Sequence, residues 1–137
     1  MSHPSHPSHP SYLIDTSAVI ALLFKEPGHE KVRVLLDSER CFIAAANYQE
    51  VVFRLVRVGA DPVQVVADLN ALEMEVVPFS PEFAADSTFS GIGFEKGLSL
   101  GDRCCLITAL QSGMVAVTAD QKWKEISIPG VKVMVIR

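Results

Sequence analysis

The sequence predicts an α/β protein, a three-layer α/β/α sandwich built on a parallel sheet. Three observations lead there. The 137 residues are 49% hydrophobic and 20% charged, the usage of a single globular domain with a real core. From Tyr12 to Arg137, short apolar runs alternate with longer segments of helical periodicity. Those helical segments are long enough to return the chain across a sheet, so successive strands run parallel.

Each element has a local reason. Residues 1–11, MSHPSHPSHPS, repeat a Ser-His-Pro triplet three times and offer no apolar run to bury. They are read as a disordered leader, a tag or a native tail, and 12–137 as the folded domain. Tyr12-Leu13-Ile14 is a short buried strand, Asp15-Thr16-Ser17 a turn and helix cap, and Ala18 to Phe24 a helix ended by Pro27-Gly28. Cys41 to Ala44 is the second strand, and Asn47 to Val58 an amphipathic helix closed by Gly59. Asp61 to Leu72 is a helix with Asp61 as cap and Pro62 in its first turn. Its stripe of Val63, Val66, Leu69 and Leu72 suits either the core or a partner surface. Glu75 to Pro78 is the third strand, Pro81 to Phe89 a helix, and Gly91-Ile92-Gly93 a loop. Ser99 to Gln111 is a helix stopped by Gly113, Met114 to Val117 the fourth strand, and Gln121 to Ile126 a short helix that Trp123 packs down. Val131 to Ile136 is the last strand.

Composition excludes several classes of function. No apolar run approaches the roughly 18 residues of a membrane span, and no secretion signal is visible. Cys41, Cys104 and Cys105 give neither a disulfide framework nor metal-ligand spacing, which points to a reducing, cytoplasmic setting. His29 is the one histidine outside the leader, so histidine-based catalysis is disfavoured. The net charge of −4 argues, taken alone, against a nucleic-acid partner. That argument weakens if four of the sixteen acids hold a cation, because the remainder then equals the twelve bases.

Four acids fall where α/β sheets bind ligands, beyond the carboxyl ends of the strands. Asp15 follows the first strand, Asp120 comes shortly after the fourth, Asp102 lies in the first turn of the helix before the fourth strand, and Glu50 lies early in the helix after the second. At about 4 Å and an effective dielectric of about 20, each like-charged pair costs on the order of 4 kcal/mol, so a convergent set takes up protons or holds a divalent cation. All-oxygen donors suit Mg²⁺ or Mn²⁺, and such ions activate water for phosphodiester cleavage without a histidine base. Plainer readings stand beside this one. Asp15 can cap the first helix, Ser99-Leu100-Gly101-Asp102 fits a capping box, and Asp120 can be a turn residue. On a helical wheel Glu50 shares the face opposite the core with Arg54 and Arg57, where a Glu50–Arg54 pair would account for it. The patterns of haloacid-type phosphatases and of receiver domains are absent: the former want a second Asp where Ser17 stands.

Taken in order, Tyr12-Leu13-Ile14-Asp15-Thr16-Ser17-Ala18, Asn47-Tyr48-Gln49-Glu50-Val51, Leu98-Ser99-Leu100-Gly101-Asp102-Arg103 and Thr118-Ala119-Asp120 resemble the acidic motifs of PIN-domain nucleases, most closely VapC-like toxins of type II toxin–antitoxin pairs. The resemblance runs from Tyr12 to Arg137. It implies a five-stranded parallel sheet and a Mg²⁺ site, with Mn²⁺ as a substitute, made by Asp15, Glu50, Asp102 and Asp120. Asp15 and Asp102 would be direct ligands, Glu50 and Asp120 would act through water or orient the nucleophile, and Thr16, Ser17 and Thr118 would supply hydroxyl groups around them. It further implies an endoribonuclease cutting tRNA or another structured RNA to leave a 5′-phosphate and a 3′-hydroxyl. A homodimer and a VapB-like antitoxin are the implied partners, and Arg54, Arg57 and Arg103 are candidates for RNA phosphate contacts. A catalytically inactive scaffold serving as a binding module is the alternative.

Overall fold

In the computed structural model, which describes residues 9–137, the chain forms a five-stranded sheet between two layers of helices. The strands are β1 (Tyr12–Ile14), β2 (Cys41–Ala44), β3 (Glu75–Val77), β4 (Val115–Thr118) and β5 (Lys132–Val135). All pairings are parallel, in the order β3-β2-β1-β4-β5. The helices are α1 (Thr16–Phe24), α2 (His29–Ser38), α3 (Ala45–Arg57), α4 (Pro62–Ala71), α5 (Pro81–Ala84), α6 (Ser90–Lys96) and α7 (Leu100–Ser112), with a 3₁₀ turn at Gln121–Glu125. The predicted sandwich is therefore present. The order of the sheet adds what the sequence does not: the chain winds outward from β1 in both directions, so the topological switch point lies between β1 and β4.

Side chains alternate across the strands and fill both faces. Ile14, Ile43 and Val117 join a core with Val19, Val32, Val51 and Leu69 beneath α1–α4. Leu13, Phe42 and Ala116 join the opposite core with Phe89, Leu98, Leu106 and Trp123 beneath α5–α7 and the 3₁₀ turn. Trp123 is fully buried, as expected of a residue that fastens the turn down. In the Asp61-capped helix, Leu69 is core and Leu72 half-buried, whereas Val63 and Val66 face solvent.

Several elements differ from expectation. A helix, α2, occupies His29–Ser38, where none is predicted; only Val32 and Leu35 are buried, too sparse an apolar stripe to announce it. The predicted loop at Gly91–Gly93 is inside α6, because buried Phe89 and Leu98 pin both of its ends and Gly93 packs against Arg103 Cδ. The helix from Pro81 stops at Ala84 rather than Phe89. α3 begins at Ala45 with no intervening loop after β2. At the junction before α2, Gly28 has φ +91°, and a Cβ there would lie 2.5 Å from the Ile136 carbonyl oxygen. Residues 1–8 of the leader lie outside the described residues; Ser11 already accepts a hydrogen bond from Val115 N–H at 3.0 Å. Among the described residues no helix is long and apolar enough to cross a membrane.

Candidate functional site

Asp15 sits at the switch point, its N–H donating to the Val117 carbonyl across β4 at 2.8 Å. It is 3% exposed, and burial pushes its carboxyl up from 3.8 to about 6, with the Asp102 charge adding to the rise. Hydrogen bonds from Ser17 and Thr118 pull it part of the way back. Ser17 Oγ donates to Asp15 Oδ2 at 2.7 Å and Thr118 Oγ1 donates to the same oxygen at 2.9 Å. Each hydroxyl in turn accepts a backbone N–H, Ser17 from Ala119 at 2.9 Å and Thr118 from Asp120 at 3.1 Å. Both hydroxyl protons are thus committed to one carboxylate oxygen, and the loop after β4 is laced to the loop after β1. Capping of α1 does not account for a carboxylate tied in this way to another strand.

Glu50 is half-buried on α3. Its Oε1 accepts from Thr16 Oγ1 at 2.7 Å, and Oε2 has no hydrogen bond among the described residues. The Glu50–Arg54 pair is not formed: Arg54 and Arg57 are exposed and make no ion pair among the described residues. The wheel reading sets Glu50 opposite the core, whereas it is half-buried, because the start of α7 packs against the start of α3 there. Gly101 of α7 makes room, since a Cβ on it would stand 2.7 Å from Glu50 Oε1.

Asp102 and Asp120 are held differently. Asp102 Oδ2 accepts from Ser99 N–H at 3.0 Å while Ser99 Oγ accepts from Asp102 N–H at 3.1 Å, so the predicted capping box is present. Asp120 Oδ1 accepts from Lys122 N–H at 2.9 Å and caps the 3₁₀ turn. Neither observation removes these acids from the site. Thr16, next to Asp15, donates to Glu50, Gly101, next to Asp102, lies against the same carboxylate, and the Asp102 charge adds to the rise of the Asp15 carboxyl. Asp120 adjoins through its N–H on Thr118. Among the described residues no three His, Cys, Asp or Glu side chains already stand in a metal-holding cluster, and none of the four acids is in an ion pair.

The donor set fits a hard divalent cation. It is all oxygen, and among the described residues no cation pairs with buried Asp15 to offset its desolvation. Arg103 is engaged elsewhere, its Nη1 donating to the Leu98 carbonyl at 2.7 Å. Two residues given no role by the sequence, Asn47 and Gly101, adjoin the Thr16–Glu50 pair. Asn47 Nδ2 donates to Thr16 Oγ1 at 3.1 Å and to the Gly101 carbonyl at 3.2 Å. The signal that finds Asn47 is its i, i+3 spacing to Glu50 on one helix face.

A family model described as PIN domain matches residues 12–129, which include all four acids. The chain belongs to the PIN domain family. Solved structures of similar fold agree. VapBC2 from Rickettsia felis, bound to a DNA fragment from its promoter, superposes with a TM-score of 0.71 at 16% identity over 91% of this chain and 98% of that one. DNA-bound VapBC from Salmonella typhimurium gives 0.70 at 19% identity over 93% and 99%. A toxin–antitoxin complex from Klebsiella pneumoniae gives 0.65 at 22% identity over 92% and 98%. No curated protein matches this chain. In this fold Asp15 and Asp120 follow the carboxyl ends of the adjacent strands β1 and β4, while Glu50 and Asp102 lie on α3 and α7, which pack together.

Proposed function

We propose that this PIN domain is a divalent-metal-dependent endoribonuclease acting in the cytoplasm as the toxin of a toxin–antitoxin pair. The observation that carries the reading is Asp15: a carboxylate buried at the switch point, without a cationic partner among the described residues, whose neighbour Thr16 holds Glu50 against Gly101 at the start of α7. Asp15 and Asp102 would hold Mg²⁺ or Mn²⁺ directly, and Glu50 and Asp120 would act through water. When bound, the ion supplies the charge that lowers the barrier to attack of water on a phosphodiester. The chain's own part is positional. Ser17 and Thr118 fix Asp15, Thr16 fixes Glu50, and the Ser99–Asp102 box fixes the start of α7. Exposed Arg54 and Arg57 are suited to RNA phosphates, and Arg103, one of whose donors is taken by the Leu98 carbonyl, is a further candidate. The RNA class is structured RNA, tRNA first. A homodimer and a VapB-like antitoxin complete the reading, which the VapBC fold likeness supports.

The test is cleavage of total RNA by the purified protein with Mg²⁺ or Mn²⁺, with and without EDTA. Chelator-sensitive cutting that leaves 5′-phosphates, lost in Asp15→Asn, is the expected result. Intact RNA under every condition, together with healthy growth when the protein is overproduced alone, overturns it in favour of an inactive scaffold.

A further inference from the structure

Glu50 is the acid that helical geometry alone would send toward solvent, yet it is held at the rim by residues from three elements. Thr16 Oγ1 has two acceptors in reach, Glu50 Oε1 at 2.7 Å and the Asn47 carbonyl at 3.4 Å. Its own lone pair takes a hydrogen from Asn47 Nδ2 at 3.1 Å. The other Nδ2 hydrogen goes to the Gly101 carbonyl at 3.2 Å. Both amide donors are therefore used, and turning the amide over would set its oxygen against that carbonyl. Asn47 is fully buried, and its Oδ1 finds no partner among the described residues. A buried amide that leaves one atom unsatisfied is costly, and a residue serving packing alone would be apolar there. The arrangement is directional: Asn47 donates to Thr16, which frees the Thr16 proton to point at Glu50.

Gly101 completes the seat. The space a side chain would take is where Glu50 Oε1 lies, 2.7 Å from an ideal Cβ. The carboxylate is bounded by a hydroxyl and by bare helix backbone, and the Asn47–Gly101 bond clamps those walls together.

We propose that Asn47 is a positioning residue that, through Thr16 and against Gly101, sets the Glu50 carboxylate for cation binding; this rests on the metal-dependent nuclease reading above. The test measures Mn²⁺ affinity by calorimetry on the full chain and, separately, kcat and KM for RNA cleavage. Asn47→Ala and Thr16→Val should each weaken Mn²⁺ binding by about 10–100-fold and lower kcat with little change in KM. The double variant should be no worse than the poorer single one, because the two act in one chain of contacts. Thr16→Ser, which keeps the hydroxyl, should recover most of the affinity. Gly101→Ala guards against trivial unfolding: alanine favours the helix, so melting should hold or rise while Mn²⁺ affinity falls as the carboxylate is pushed aside. Wild-type Mn²⁺ affinity and kcat in both Asn47→Ala and Gly101→Ala overturn the positioning role and leave the nuclease reading standing. A wild-type protein that neither binds Mn²⁺ nor cuts RNA overturns both.

Discussion

The four acids of the rim divide into two pairs held by different means. Asp15 and Glu50 each accept from a hydroxyl that comes from far along the chain, Thr118 and Thr16, with Ser17 adding a local one to Asp15. Asp102 and Asp120 accept from backbone N–H groups two or three residues away and would keep those bonds in an isolated helix start. The first pair depends on the sheet being assembled; the second depends on local structure. One site thus combines carboxylates whose placement is a tertiary property with carboxylates whose placement is a capping property, and substitutions should separate them.

The largest expected effect is on the assembled pair. Asp15→Asn should reduce RNA cleavage by more than the roughly 10–100-fold that outer partners of a metal site cost, while leaving the fold intact by circular dichroism. Retention of cleavage would remove Asp15 from the site. The same side chain should also write a pH dependence into the metal-free protein. Asp15 holds its proton up to about 6 in the folded state but releases it near 3.8 when unfolded. Between those values the folded chain binds more protons, so its stability is greatest below 3.8 and falls as pH rises through 6, by on the order of 3 kcal/mol from this group. Urea unfolding in EDTA across that range checks it, and Asp15→Asn should flatten this contribution. A difference between wild type and Asp15→Asn that does not fall through this window would contradict the assignment.

Smaller effects follow in order. Thr118→Val keeps the shape but removes the donor to Asp15 and the acceptor for Asp120 N–H, and should cost about 1–3 kcal/mol in urea unfolding. It should also move the pH at which stability falls upward, since a hydrogen bond that favours the ionised carboxylate is gone. Ser99→Ala touches only the local pair. It should cost about 1 kcal/mol of stability through the lost cap, with the smallest loss of cleavage of the set. If Ser99→Ala damages cleavage more than Thr118→Val does, the division between assembled and local acids is wrong.

This division also explains what was legible in the sequence. The strands and most helices announce themselves by periodicity, and Asp102 and Asp120 by the turn chemistry around them. Asp15 is legible as an acid after a strand; its burial against Thr118 is not, because strand order comes from pairing across the sheet. Glu50 is the clearest case. Periodicity sets it on the face opposite the core, but no local pattern shows that the start of α7 packs against the start of α3 with Gly101 at the contact. α2 and α6 escape for a related reason: few buried residues in one, and glycines in the other whose helix is anchored by Phe89 and Leu98. What the chain conceals is which elements meet.

The two faces of the sheet each contain a cysteine shielded from water. Cys41 lies in the layer under α1–α4 with its thiol pushed up to about 11, and Cys105 lies under α7 with its thiol raised well above its ordinary value by burial. Protonated and enclosed, neither should react with an alkylating reagent until its own layer parts. With the third buried cysteine, Cys104, replaced by Ala, these two serve as native sentinels, and the sequence in which mass spectrometry finds them tagged reveals which side of the sandwich yields first.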